Sequence, residues 1–282
     1  MARLDKNSML CPNCRKLISM DEPRCPYCGL SNPGARWKKG ISLLSLRDPY
    51  DIIKILIYTN VALFIVSIIL NPTSIGLSAN PLTFLSPGSR SLLLLGATGT
   101  LPIDQFHRWW SLVSASYLHG GILHILFNMI ALRQLAPFVI SEYGLHRFFI
   151  IYTVTGIIGF LLSYIAGVPF TIGASASVCG LIGAILFYGK SRGGFYGEAI
   201  FRQTMGWVIG LVLFGFMVPG INNWAHGGGL MTGIATGFFL GYHEKIRENL
   251  LHRGLSVACM VLTVGILGWA VLQALYIRFF LM

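Results

Sequence analysis

Residues 173–189 read GASASVCGLIGAILFYG, a stretch without charge in which small residues alternate with large aliphatic ones. As a helix it is long enough to cross most of a bilayer. Its glycines, Gly180 and Gly183, would let a neighbouring helix approach closely. A serine hydroxyl, that of Ser175, lies near its start. The stretch therefore predicts a membrane helix packed inside a bundle, with one reactive side chain at its first turn.

The rest of the chain has the same apolar character. Of its 282 residues, 54% are hydrophobic and 11% are charged, whereas a soluble domain carries about 25% charged residues. Too few charged residues remain to cover a water-facing surface. We therefore expect lipid to be the solvent for most of the chain.

Apolar segments long enough to span a bilayer follow one another from residue 52 onward. We predict an all-α polytopic membrane protein, with residues 1–35 as a cysteine-bearing module and residues 36–50 as a basic juxtamembrane linker. Residues 51–245 would form a six-helix core, and residues 246–282 would carry a seventh helix. The predicted spans are 52–70, 120–138, 147–168, 173–189, 204–220, 224–243 and 255–280.

The net charge of +11 is concentrated in the first 54 residues and in short gaps between the apolar segments. That distribution is typical of cytoplasmic flanks in membrane proteins, and it argues against nucleic-acid binding. The N-terminus is then expected in the cytoplasm and, with seven spans, the C-terminus outside. The first residues show no cleavable signal peptide. Together with the cysteine module, this favours a prokaryotic plasma membrane.

Two CxxC pairs lie in the first 35 residues. Each pair can place two thiolates on one tight turn, and four thiolates complete a tetrahedral Zn²⁺ site. A redox dithiol and stable disulfides are the alternatives, and the expected cytoplasmic location disfavours the latter. We predict one structural zinc ion in a module that resembles a short zinc ribbon, with a cytosolic protein as a possible partner. The predicted ligands are Cys11, Cys14, Cys25 and Cys28.

Polar residues recur at the first turns of three predicted spans, which would run in the same direction through the membrane. They are His124 and Asn128, then Ser175, then His226. Intramembrane ionisable residues are costly and indicate function. A serine and a histidine on adjacent helices can act as nucleophile and general base. His124, Asn128 and the backbone N–H near Ser175 are candidate oxyanion donors.

Each of these residues also has a structural interpretation. A membrane serine usually bonds to its own helix, a lone histidine can be structural, and glycine-rich helices report close packing. Ser177 is a second candidate nucleophile, but it would point nearly opposite to Ser175 on a helix. Cys179 and Cys259 are interpreted as small buried residues.

The sequence resembles the rhomboid family of intramembrane serine proteases over about residues 50–245. The resemblance implies a six-helix core, a Ser–His dyad of Ser175 and His226, and an oxyanion hole of His124 and Asn128. It implies no metal or cofactor in catalysis. Substrates would be transmembrane helices of other proteins in the bilayer, cut near the outer face. The motifs that carry it are His124/Asn128 (HxxxN), Gly173-Ala174-Ser175 (GxS) and Ala225-His226…Gly229…Gly233 (AHxxGxxxG).

Three positions depart from the family pattern. Ala176 stands where glycine is common, Ser111 stands where arginine often follows a loop tryptophan, and Cys179 stands where an aromatic residue often supports the imidazole. None of these changes removes a reacting group. They bear on the anchoring of the loop and on the surroundings of His226.

Two other functions remain open. One is a noncatalytic rhomboid-like protein that binds membrane proteins for quality control. Such relatives typically lack the serine or the histidine, whereas Ser175 and His226 are both present here. A transporter would require paired intramembrane charges or two matching halves. Neither is evident in the sequence.

Overall fold

The structure is a computed structural model. It describes residues 8–11, 13–14, 16–19, 22–31, 33, 50–74, 76–77 and 84–280. Nearly all of the predicted linker 36–50 lies outside the described residues, including Arg36, Lys38, Lys39 and Arg47. The chain divides into two compact units, residues 1–52 and 53–282, and each is described by itself.

The N-terminal unit contains an antiparallel pair of short strands, β1 (Ser8–Leu10) and β2 (Leu17–Ser19). Its core consists of Cys11, Ile18 and Cys25, with Cys14, Cys28 and Leu30 packed against them. So small a core cannot stabilise a fold by apolar burial alone. The four cysteines thus form most of this core.

The second unit is helical, as the sequence predicts. Its described residues form nine α-helices, of which seven are long, and the positions of these seven correspond to the seven predicted spans. The described helices are α1 (Asp51–Ile69), α2 (Ser89–Leu95), α3 (Ser111–Ser114), α4 (Ile122–Tyr143), α5 (Leu145–Ile165), α6 (Ser175–Arg192), α7 (Gly194–Met217), α8 (Asn223–Leu240) and α9 (Leu250–Phe280).

Five of the long helices are apolar and long enough to cross a membrane, judged by length and composition alone. These are α1, α4, α5, α7 and α9. α6 and α8 fall outside this set because glycine, histidine, asparagine and terminal basic residues lower their apolarity. At 18 residues each, they are still about 27 Å long. They pack against each other and against α5 at the centre of the unit.

The helix boundaries differ from the predicted spans most clearly at α7, which begins ten residues before the predicted start at residue 204. A turn at Gly193 and Gly194, both with positive φ, starts this helix directly after α6. Its first turns are amphipathic, and the Arg202 Nη2 lies 2.6 Å from Glu198 Oε1 one turn earlier. Hydropathy detects only the later, apolar part of such a helix.

The described residues between α1 and α4 form several short elements. They include strands β3 (Gly76–Leu77) and β4 (Phe84–Ser86), the short helices α2 and α3, and single turns at Pro72–Ser74, Leu101–Gln105 and Ala115–Tyr117. Arg108 Nη1 donates to Leu93 O at 2.6 Å, and its guanidinium lies over the Trp110 ring. Ser111 is buried and donates to Thr98 Oγ1 at 2.9 Å. Arg108 therefore anchors the loop although it is out of register with the family pattern.

Arg147 is fully buried, although the sequence places it at the very start of the predicted span 147–168. Its Nη1 atom donates to the carbonyl oxygens of Leu240, Gly241 and Ile246 at 3.2, 2.8 and 2.9 Å. The end of a helix concentrates unpaired carbonyls and partial negative charge, which a guanidinium satisfies. Arg147 thus joins the start of α5 to the end of α8 instead of facing water.

Candidate active site

Ser175 is the first residue of α6 and is partly exposed. The first N–H groups of a helix have no partner within the helix, so the backbone beside Ser175 offers free donors at the positive end of the helix dipole. Ser177 is fully buried and turned the other way. Its Oγ lies next to Gly156 of α5. This geometry leaves Ser175 as the accessible serine of the pair.

Gly173 brings the first turn of α4 next to Ser175. Its φ is +128°, a conformation that favours glycine. A Cβ at this position would lie 2.7 Å from His124 Nε2 and 3.6 Å from Ser175 Oγ. His124 and Ser175 therefore face one small space, and there is no room for a side chain at Gly173.

The hydrogen bonds of His124 indicate which of its ring nitrogens carries the proton. The Gly120 N–H donates to His124 Nδ1 at 3.3 Å, so Nδ1 acts as an acceptor. In a neutral imidazole the proton then sits on Nε2, the atom that faces Gly173 and Ser175. Asn128 is buried, and its Nδ2 donates to His124 O at 2.8 Å. This bond leaves Asn128 one further amide N–H.

His119 is a buried histidine to which the sequence assigns no role. Its ring packs edge-to-face on His124 with ring centroids 5.1 Å apart. Neither of its ring nitrogens has a hydrogen-bond partner among the described residues. In the sequence, the only indication that His119 belongs to the site is its position five residues before His124 in a polar segment.

His226 lies in the first turn of α8, which begins at Asn223. Asn222 holds this end of the helix. Its side-chain oxygen accepts from Ala225 N at 3.1 Å, and its Nδ2 donates to Ser163 Oγ at 2.6 Å and to Thr171 Oγ1 at 2.9 Å. Asparagine is among the residues preferred at the N-cap of a helix, so Asn222 carries a sequence signal for this helix start.

The helices that carry Ser175 and His226 meet backbone to backbone. A Cβ at Gly229 would lie 2.9 Å from the carbonyl carbon of Ala176, and one at Gly233 would lie 2.7 Å from that of Gly180. Gly183 abuts α8 in the same way, next to Leu230 O. The predicted role of these glycines in bringing the two helices together is confirmed.

Two departures from the family pattern lie in this contact region. The buried Ala176 is accommodated by Gly159 of α5, where a methyl group would come within 3.0 Å of the Ala176 Cβ. Cys179 is buried and lines a cavity of about 190 Å³ together with His226. The alanine therefore fits the packing, whereas the cysteine leaves space beside the imidazole.

Ser175 and His226 sit at the first turns of adjacent helices. Within the described part of the chain, no hydrogen bond joins Ser175 Oγ to the His226 ring. Such contacts are often long in an enzyme without substrate and tighten in the complex. The structure places one hydroxyl and the His124 imidazole at the space beside Gly173, next to free backbone donors, and it places His226 at the first turn of the adjacent helix; acyl transfer requires groups of these kinds.

The four cysteines of the N-terminal unit form a separate cluster. Their sulfur atoms all lie within 4.8 Å of one another, and both the Cys11–Cys28 and the Cys14–Cys25 Sγ distances are 3.6 Å. Four thiolates at about 2.3 Å from one Zn²⁺ have sulfur atoms roughly 3.8 Å apart. A hydrogen bond from the Asn13 side chain lowers the pKa of the Cys28 thiol to about 6, which favours the metal-binding thiolate. The cluster could hold a metal ion.

Comparison with known proteins agrees with the geometry. Residues 107–243 match the family model of the rhomboid domain. The chain is 34% identical over 183 residues to Rhomboid protease GluP of Bacillus subtilis, covering 62% of this chain and 35% of that protein. It is 31% identical over 172 residues to RHOMBOID-like protein 4 of Arabidopsis thaliana, covering 60% and 42%.

A third relative, Putative rhomboid protease YdcA of Bacillus subtilis, is 31% identical over 137 residues, covering 48% of this chain and 66% of that protein. The chain thus spans about a third to two thirds of the length of these relatives.

Proposed function

Because this chain carries a rhomboid domain within a multi-pass membrane protein, we propose that it is an intramembrane serine endopeptidase that cleaves transmembrane helices of other proteins. The observation that carries the proposal is the convergence of Ser175 and His124 on the space at Gly173, with His226 on the adjacent helix end. Relatives named as rhomboid proteases support the same activity.

In the proposed reaction, Ser175 Oγ attacks the carbonyl carbon of the scissile peptide bond while His226 accepts the hydroxyl proton. The tetrahedral intermediate places a negative charge on the carbonyl oxygen. Donors for this oxyanion are the Nε2–H of His124, the second amide N–H of Asn128 and the free N–H groups at the start of α6. His226 then returns the proton to the leaving amine, and water hydrolyses the acyl-enzyme by the reverse proton path.

Substrate approach is supported by an apolar cavity of about 340 Å³ between α4 and α7, against α6. Leu135, Val178 and Trp207 are among its lining residues. An apolar helix could partition into this space from lipid without burying charge. A substrate segment must also unwind before its peptide bond reaches Ser175, which favours small or helix-weakening residues near the cut.

The topology proposed from basic residues puts the N-terminus in the cytoplasm, which places the first turns of α4, α6 and α8 near the outer face. We propose one structural zinc ion at the four cysteines, outside the catalytic chemistry. When bound, it would crosslink the two CxxC turns and stabilise the small unit. The proposed domain division keeps residues 1–35, 36–50, 51–245 and 246–282 as module, linker, core and added helix.

The test is cleavage of a transmembrane reporter in lipid nanodiscs together with labelling by a serine-reactive fluorophosphonate. Ser175→Ala should lose both activities, and His226→Ala should lose at least about 10³-fold in cleavage. Ser177→Ala is the matched control, because the Ser177 hydroxyl is buried and has no hydrogen-bond partner among the residues that the structure describes, so its loss should leave both activities unchanged. Cleavage by Ser175→Ala would contradict the proposal. The noncatalytic alternative would be favoured if the wild-type protein binds the reporter but neither cleaves it nor reacts with the fluorophosphonate.

A further inference from the structure

The cavity of about 190 Å³ beside His226 has no part in the proposed reaction. It lies between α6, α7 and α8, and its walls are largely aliphatic and aromatic. Val208, Leu211 and Phe216 line it from α7, and Cys179 and Leu230 line it from α6 and α8. The site is thus a pocket of apolar walls with one imidazole in it.

The size and lining of this cavity decide what it can hold. A water molecule needs two to four polar partners to occupy a buried site, and apolar cavities of about 150 Å³ stay dry and bind benzene or xenon. Asn223 also lines the cavity, but its Nδ2 already donates to Gly215 O at 2.9 Å. Besides the weakly polar thiol of Cys179, the lining side chains offer water only the His226 ring and the remaining amide groups of Asn223, which are too few to fill a space of this size.

The cavity is accessible from the lipid side. Phe216 lines it and yet is 81% exposed, and Val212 beside it is 48% exposed. α7 packs along α6 and contacts α8 only sparsely, so a gap between α7 and α8 leads inward. An apolar molecule dissolved in the bilayer can enter there without crossing a polar surface.

The geometry points to a binding site for a small uncharged apolar molecule, of the size of one aromatic ring, in the cavity between Cys179, His226 and the facing side of α7. The occupant would pack against the His226 imidazole and gain dispersion contacts there. Recognition would depend on shape and apolarity. It would not involve Ser175, so the site is distinct from the space at Gly173.

The test is a titration with benzene, followed through the histidine side chains of the protein in deuterated-lipid nanodiscs. The chain has seven histidines, and ¹⁵N-histidine labelling reports each ring, with His226 assigned from the spectrum of His226→Gln. Benzene should shift the His226 ring signals saturably, at about millimolar concentration for so small a ligand. His107 and His146 should not shift.

Filling the cavity should abolish this response. Cys179→Phe places a ring in the space, and the benzene-dependent shift of His226 should fall to less than a tenth of the wild-type value. Cys179→Ala leaves the cavity open and should keep the benzene-dependent shift of His226. This variant shows that loss of the thiol alone does not abolish binding, even if Cys179→Phe impairs folding. Cys259→Phe on α9 is the matched control for a ring introduced at the other membrane cysteine.

Three outcomes would overturn the inference. They are no shift at His226, a non-saturating drift of all histidines that reflects partitioning into lipid, or an unchanged shift in a folded Cys179→Phe protein. Binding is measured without any cleavage, and Ser175→Ala should bind benzene as the wild type does. Failure of this inference is therefore distinguishable from failure of the proposed protease function.

Discussion

Replacing Gly229 by alanine should uncouple the two halves of the candidate site. A Cβ at Gly229 would lie 2.9 Å from the carbonyl carbon of Ala176 and 3.2 Å from its Cα, closer than the 3.4 Å at which ordinary contact begins. Both atoms belong to helix backbone, which cannot rotate away. α8 must therefore move away from α6 by at least about 0.5 Å, which is the difference between the 2.9 Å approach and the 3.4 Å of ordinary contact.

This displacement acts on His226, which lies three residues earlier on the same helix. Catalytic groups must be held within about 0.5 Å of their productive positions, and an error of 1 Å can cost about 100-fold in rate. We expect Gly229→Ala to lower kcat by about 10- to 100-fold and the free energy of unfolding by about 1–3 kcal/mol. KM should change little, because the substrate cavity at α4 and α7 is not altered.

The assay is reporter cleavage in nanodiscs, with thermal unfolding measured on the same samples. Gly206→Ala is the control, since a Cβ at that position on α7 meets nothing within 4 Å and alanine favours the helix by up to about 1 kcal/mol. The reasoning is refuted if Gly229→Ala keeps kcat within twofold of the wild type. It is equally refuted if Gly206→Ala loses as much activity.

Three further predictions concern other parts of the molecule. Purified protein should contain one zinc ion per chain by elemental analysis. The double variant Cys11→Ser with Cys28→Ser should lose this zinc, while its membrane unit still unfolds at the wild-type temperature. Zinc retained by the double variant would contradict the site. Asn222→Ala should lower the free energy of unfolding by about 1–2 kcal/mol by removing the cap of α8, whereas Asn222→Asp, which keeps the capping oxygen, should recover part of it in thermal unfolding. Arg147→Met should destabilise the protein by about 2–5 kcal/mol, because three carbonyls around the buried guanidinium lose their donor. An unchanged unfolding temperature would show that these bonds carry no net stability.

Much of the fold could be predicted from composition and periodicity. Long apolar segments must form helices in lipid, because every backbone group needs a partner there. Seven of them were therefore predictable, along with their order. The start of α7 was predicted at residue 204 instead of Gly194, because its first turns are amphipathic and hydropathy does not register them.

The candidate site was predictable to a different extent. Ser175, His124 and His226 could be identified because polar residues are rare in apolar segments. His119 and Asn222 were not assigned roles, since a polar residue in a loop or at a cap has no unusual cost. The burial of Arg147 was also missed, because a charge at the end of a predicted span usually faces water.

The sequence by itself determined which groups are present: the helices, the reactive side chains, the four cysteines and the glycines that permit contact. These follow from local chemistry and from the solvent that the composition requires. Only the tertiary structure decided what those groups touch. It set the approach of His124 to Ser175 across Gly173, the cavity that Cys179 leaves beside His226, and the carbonyls that surround Arg147. Such contacts join residues far apart in the chain, so they depend on how whole helices pack and not on local propensity.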